Sequence, residues 1–193
     1  MLGEHWIDQG RGKVGEQRIV EFRTIPAVSI DPAAKKAIME ADLIVLGPGD
    51  LYTNTIANLA VSGVVEAINK SYAKLVFVMN VMTKRGESYG YAASDYLDDL
   101  GRYLALSRIT HVIVNTDRTI EPAVEKAYKK EGAEWVEDDL DQIEADGLRS
   151  KYKVIREKLI AKGKIEQEKG DSLTRSMVRH DSDKLAKVLV ELL

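Results

Sequence analysis

The chain has 193 residues, 45% of them hydrophobic and 31% charged, with a formal net charge of −3; it suits one soluble globular domain with a sizeable core and offers no general attraction to nucleic acid or anionic lipid. It has no cysteine, which excludes a disulfide framework and a cysteine-based zinc site. Its longest apolar stretches, such as Leu75 to Met79, are too short for a membrane span, and the opening MLGEHWIDQGRGK lacks a signal-peptide core, so the expected address is the cytoplasm.

Residues 1–17 carry no clear pattern and are read as a lead-in. Arg18 to Ile25 is rich in β-branched and aromatic residues, stops at Pro26, and is expected to be a strand. Asp31-Pro32 then resembles an N-cap followed by proline at the first helical position, opening a helix over Ala33 to Ala41. Asp42 to Leu46 is expected to be a strand covered on both faces. Short helical stretches follow at Thr55 to Val61 and Gly63 to Lys70. Lys74 to Val78 is a second buried strand, and Asn80 to Tyr91 a loop. Ser94 to Ala105 has helical spacing, with Ser94 as its expected cap. Thr110 to Val114 is a third buried strand, Pro122 to Glu131 a helix opened by proline, and Glu134 to Val136 a last short strand. Residues 137 to 150 are acidic and read as loop. From Lys151 to Lys169 bases alternate with Glu157, Glu166 and Glu168, as on a solvated helical face. Asp181 to Leu193 is an amphipathic helix with Leu185, Val188, Leu189 and Leu192 on one stripe, suited to the sheet or to another subunit.

Strand, loop and helix thus recur three times, about 35 residues apart, which predicts a Rossmann-like α/β fold: a three-layer parallel sheet with helices on both faces, in a single domain over residues 1–193. Ligands of such sheets sit beyond the carboxyl ends of the strands. Three loops qualify: Gly47 to Asn54, Asn80 to Tyr91 and Asn115 to Thr119. In the first, Gly47 and Gly49 let a ligand approach the backbone, Pro48 stiffens the turn, and Tyr52, Thr53, Asn54 and Thr55 add neutral donors near a helix start. Asp50 runs against a plain phosphate cradle; capping, a sugar hydroxyl or a cation would suit it, and the whole stretch also reads as a turn. The second loop holds Asn80, Thr83, Lys84, Arg85, Gly86, Glu87 and Ser88, too polar for a mere connector, with Lys84 or Arg85 able to neutralise a phosphate. His111 reads as structural. His180 suits either a helix-start turn or an acid–base or phosphate site. No Ser-His-Asp or metal-ligand spacing is visible.

The stretches DLIVLGPGDLYTNTIANLAVSGVVEAI, VMNVMTKRGESYGYAASDYL and VRHDSDKLAKVL, in this order, resemble the CofD-like (UPF0052) family, which includes the bacterial gluconeogenesis factor and 2-phospho-L-lactate transferase. The first loop looks like that of the gluconeogenesis-factor branch. The transferase branch has Gly-Pro-Ser-Asn-Pro there. The resemblance implies UDP-sugar binding and a regulatory role in carbon metabolism and the cell envelope. Its transferase branch implies instead phospholactyl transfer to a deazaflavin with Mg²⁺, for which Asp50 and Glu87 are the candidate catalytic acids. By position it implies ligand contacts at Gly47, Pro48, Gly49, Asp50, Tyr52 and Thr53, at Asn80, Met82, Thr83, Gly86 and Glu87, and at Arg179 and His180 beside Asp181. The family's opening strand and its Gly-Gly-Gly-Thr-Gly turn have no counterpart here, which predicts a sheet truncated at its N-terminal side, an exposed apolar edge, and a homo-oligomer or another partner to cover it.

Overall fold

A computed structural model describes Ile7 and residues 15–141, 152–162 and 177–193. Four parallel strands lie side by side in chain order: β1 (Leu43–Leu46), β2 (Lys74–Val78), β3 (His111–Asn115) and β4 (Lys153–Glu157). The register sets Ile44 beside Leu75, Phe77 beside Val112, and Ile113 beside Ile155. Side chains of a strand point alternately to its two faces, so the apolar runs supply two cores at once. Leu75, Phe77, Val112 and Val114 face one layer. There they meet Ile38 of α1 (Pro32–Glu40), Ile68 of α2 (Val64–Lys70) and Leu97 and Leu100 of α3 (Ala93–Gly101). Val76, Val78 and Ile113 face the other layer, against Leu159, the stripe Leu185, Val188 and Leu189 of α5 (Ser182–Val190), and Leu192 just beyond it. The doubly covered parallel sheet is therefore as the apolar pattern predicts, and the C-terminal helix packs on the sheet.

Local chemistry sets most element ends. The Asp31 side chain accepts from the Ala33 N–H at 2.8 Å, and Pro32 opens α1. Asp181 caps α5 in the same way, accepting from Asp183 and Lys184 at 3.1 Å. α4 (Pro122–Glu131) also begins on proline and ends on Gly132 in the left-handed conformation, a common helix stop.

Five expectations need correction. Arg18 to Ile25 forms no strand, because its backbone pairs with side chains. Arg102 donates to the Ile19 and Val20 carbonyls at 3.1 and 2.9 Å, the Tyr52 hydroxyl sits 2.9 Å from the Ile19 carbonyl, and the Phe22 N–H donates to the Tyr103 hydroxyl at 2.8 Å. Glu134 to Val136 makes only a bridge between Trp135 and Met82, since Thr83 rather than a strand holds it: Glu134 donates to Thr83 Oγ1 at 2.9 Å and its carbonyl accepts from the Thr83 N–H at 2.7 Å. β1 is not covered on both faces; it is the sheet's edge among the described residues, with Val45 37% exposed. Ser94 does not cap α3. Asp95 accepts from the Ala92 N–H at 2.9 Å, while Ser94 donates to Asp139 at 2.9 and 2.6 Å through its amide and hydroxyl. Lys153 to Glu157, expected within a charged helix, is β4, because Val154 and Ile155 extend the sheet beside β3 and Arg156 is held by Asp138 and Asp141 at 2.6 and 2.8 Å. The rest of that expected helix, residues 163–176, lies outside the described residues.

Candidate functional site

The loop after β1 turns at Gly47, which takes φ +77° and precedes a cis peptide to Pro48. A Cβ at Gly47 would stand 2.9 Å from the carbonyl oxygen of Val78, so both the conformation and the close backbone call for glycine. Gly47→Ala is expected to lower stability by about 2 kcal/mol, read as a shift in the urea midpoint. Loss of under half of that would mean the loop relaxes freely.

Beyond the turn the chain enters a π-helical segment, Leu51–Ile56, continued by Ala57–Leu59. Single π turns recur at functional sites. Between this segment and the end of β1 lies an open groove of about 520 Å³ lined by Val45, Leu46, Gly47, Gly49, Asn54 and Asn58 among others. Its apolar flank comes from the exposed edge strand, and its polar flank from backbone and carboxamides. Such a mixture suits an uncharged, hydroxyl-bearing ligand group.

The second loop, after β2, holds the first in place. Asn80 Nδ2 donates to the Gly49 carbonyl at 2.8 Å. Lys84 Nζ lies 2.6 Å from Asp50 and 3.8 Å from Glu87. Glu87 is 2% exposed. One of its oxygens accepts from the Tyr52 N–H at 2.7 Å and the other from the Thr53 hydroxyl at 2.7 Å. Burial pushes its carboxyl above the ordinary range, with the Thr53 hydrogen bond opposing that. Gly86, at φ +94°, donates to the Gly15 carbonyl at 2.8 Å, and Arg85 pairs with Glu16 at 2.7 Å.

Beneath the loops is a buried polar cluster. Asp99, 1% exposed, accepts from the Tyr52 and Tyr91 hydroxyls at 2.7 and 2.6 Å and pairs with Arg102. Burial raises the Tyr52 and Tyr91 phenols above their ordinary range, so both remain donors at neutral pH. Arg18 pairs with Asp95 and lies 4.5 Å over the Tyr91 ring.

The structure thus brings together Gly47, Pro48, Gly49, Asp50, Thr53, Asn80 and Glu87, and adds Lys84. Tyr52 belongs to the loop by backbone, but its fully buried ring points inward to Asp99. Met82 and Thr83 face the Trp135 segment. Arg179 and His180 attach to the chain after β4: Arg179 accepts from the Ala161 N–H at 2.9 Å, and His180 bridges Ile160. They stand three strands from β1, roughly 14 Å across the sheet. In the third loop, Asn115 Oδ1 accepts from Leu159 at 2.9 Å and from Asp117 at 3.1 Å, a structural tie. Asp50 makes no capping bond; Lys84 neutralises it.

The acids do not fit Mg²⁺. Both Glu87 oxygens are engaged with Tyr52 and Thr53, Asp50 is engaged with Lys84, and among the described residues no three of His, Asp and Glu cluster to hold an ion. Sequence reasoning missed Asp99. The available signal was an acid set three residues after Tyr96 and three before Arg102, among the apolar positions Leu97 and Leu100 of α3.

Residues 1–160 match the family model described as 2-phospho-L-lactate transferase CofD. A Thermotoga maritima protein that bears the gluconeogenesis-factor name provisionally is 39% identical over 189 residues, covering 98% of this chain and 54% of its own length. The gluconeogenesis factor of Bacillus subtilis is 33% identical over 195 residues, covering 97% of this chain and 56% of its own. A crystal structure from Bacillus halodurans superposes with a TM-score of 0.78 at 30% identity, over 97% of this chain and 54% of that one. The chain therefore spans about half the length of these relatives. No helix among the described residues is long and apolar enough to cross a membrane.

Proposed function

Because the chain belongs to the CofD family, we propose that it forms the nucleotide-sugar-binding part of a cytoplasmic regulator of the gluconeogenesis-factor type, taking a UDP-sugar such as UDP-N-acetylglucosamine. The observation that carries this reading is the groove between the end of β1 and the π-helical segment, walled by glycine backbone, Asn54 and Asn58. Exposed Val45 on the edge strand supports self-association as the means of covering that edge. The phosphotransferase reading is weaker, since Asp50 and Glu87 are both engaged within the protein.

Calorimetric titration with UDP-N-acetylglucosamine, with and without Mg²⁺, tests the proposal. Saturable heat without the metal is the expected result. No heat from a folded chain would mean that nucleotide binding needs parts of the family fold outside these residues. Gly49→Val supplies the loop control. The nearest atoms to a Cβ there belong to the Asn54 side chain, at 3.4 Å and beyond, so the fold should survive while the branched side chain fills the groove. Affinity is expected to fall at least about tenfold, the equivalent of 1.4 kcal/mol. An unchanged affinity would remove the loop from the site.

A further inference from the structure

The start of the Leu51–Ile56 segment offers what anion sites at helix starts usually offer: consecutive backbone N–H groups, a hydroxyl and a nearby ammonium. Here these donors are already taken. The Glu87 carboxylate receives the Tyr52 N–H at 2.7 Å, the Thr53 hydroxyl at 2.7 Å and the Thr53 N–H at 3.4 Å, and lies 3.8 Å from Lys84 Nζ. It comes from the other loop, 35 residues on, and it is 2% exposed. Lys84 is shared with Asp50 at 2.6 Å. The Lys84 ammonium is thus already engaged by the protein's own side chains, like the amides and the hydroxyl, and is not left open to a phosphate.

We propose that Glu87 is a built-in occupant of this donor cluster and acts as a specificity-determining residue. It excludes phosphate from the Gly47–Thr53 loop, so the loop receives the uncharged, hydroxyl-bearing part of the ligand and the phosphates lie elsewhere. This rests on the reading of that loop as a ligand loop, and it deepens the nucleotide-sugar assignment by orienting the ligand. Glu87 also ties the two loops together, so the device that selects against phosphate also fixes the groove wall.

The test uses inorganic phosphate and acetate as probes, with sodium chloride as the ionic-strength control, so it can be read whether or not a UDP-sugar binds. Amide resonances of Tyr52 and Thr53 are followed in the ¹⁵N-labelled chain at neutral pH. In the wild type they are expected to give no saturable response to phosphate. In Glu87→Ala, acetate is expected to move both amides saturably and to raise the Tm, whereas equal chloride does neither. Glu87→Gln fills the same volume and should show no acetate rescue. Saturable phosphate shifts at Tyr52 and Thr53 in the wild type would overturn the proposal, because Glu87 would then be a displaceable plug. So would a folded Glu87→Ala whose amides ignore acetate. If Glu87→Ala does not fold alone, refolding in acetate but not in chloride supports the proposal, and refolding in neither counts against it.

Discussion

Asp99→Ala is expected to lower stability by about 3 kcal/mol, because it strips a charged acceptor from several buried donors at once. Tyr52 and Tyr91 would lose their 2.6–2.7 Å bonds, and Arg102 its carboxylate partner. Tyr52 keeps the Ile19 carbonyl at 2.9 Å and Arg102 keeps its bonds to the strap, residues 15–22, so the domain should still fold. Asp99→Asn retains an acceptor of the same shape and should cost about half as much. Urea unfolding of the three proteins checks both values. A loss below about 1 kcal/mol for the alanine variant would show the cluster to be incidental. The same variant should weaken ligand binding, since Tyr52 is the pin between this cluster and the loop after β1.

Acid should destabilise the protein through His180. Its Nε2 is buried with no hydrogen-bond partner among the described residues, and burial pushes its pKa down to about 4 from an ordinary 6.5. The folded state holds the imidazole neutral, while the unfolded chain protonates it below about 6.5. Its contribution is therefore complete above pH 6.5 and is lost as the pH falls from there toward about 4. The total loss is on the order of 3 kcal/mol. His111 acts in the same direction, lowered by partial burial and by Lys153 and Lys74. Urea midpoints at pH 7 and pH 5 in the wild type and His180→Leu separate the two. The variant should lose the His180 share of the slope and keep what His111 and, with opposite sign, Glu87 contribute. A wild-type slope carried unchanged into the variant would assign the effect elsewhere.

The elements legible in the sequence were those set by local chemistry or by burial on both faces. β2 and β3 read as apolar runs because both their faces are covered, α1 and α4 read from their aspartate or proline starts, and α5 from its apolar stripe. What failed was decided across long separations. Arg18 to Ile25 has strand composition, yet its carbonyls go to Arg102 and Tyr52, more than thirty positions away. Lys153 to Glu157 reads as a charged helical face until β3 offers it a free edge and Asp138 takes Arg156. The site divided likewise. Glycines at the end of a strand announce a loop, so Gly47 and Gly49 were visible. Glu87 appeared as a loop acid suited to chemistry, and only the fold reveals its two backbone amides. Asp50 read as an obstacle to an anion, and the fold adds that Lys84, the nearby cation, is shared between Asp50 and Glu87.

The helices α1, α2 and α3 all lie on one layer of the sheet, and on the other layer α5 alone among these helices supplies the cover. Synthesis runs from the N-terminus, so β1, β2 and β3 emerge from the ribosome well before the residues that close their second side. At about 5–20 residues per second, the stretch from Asn115 to Ser182 takes several seconds. Through that interval Val76, Val78 and Ile113 lack the α5 stripe that packs on them in the folded domain. Among the described residues, that cluster is complete only when residues 182–190 have been delivered. Until then it is a natural client for a chaperone that binds flat apolar surface.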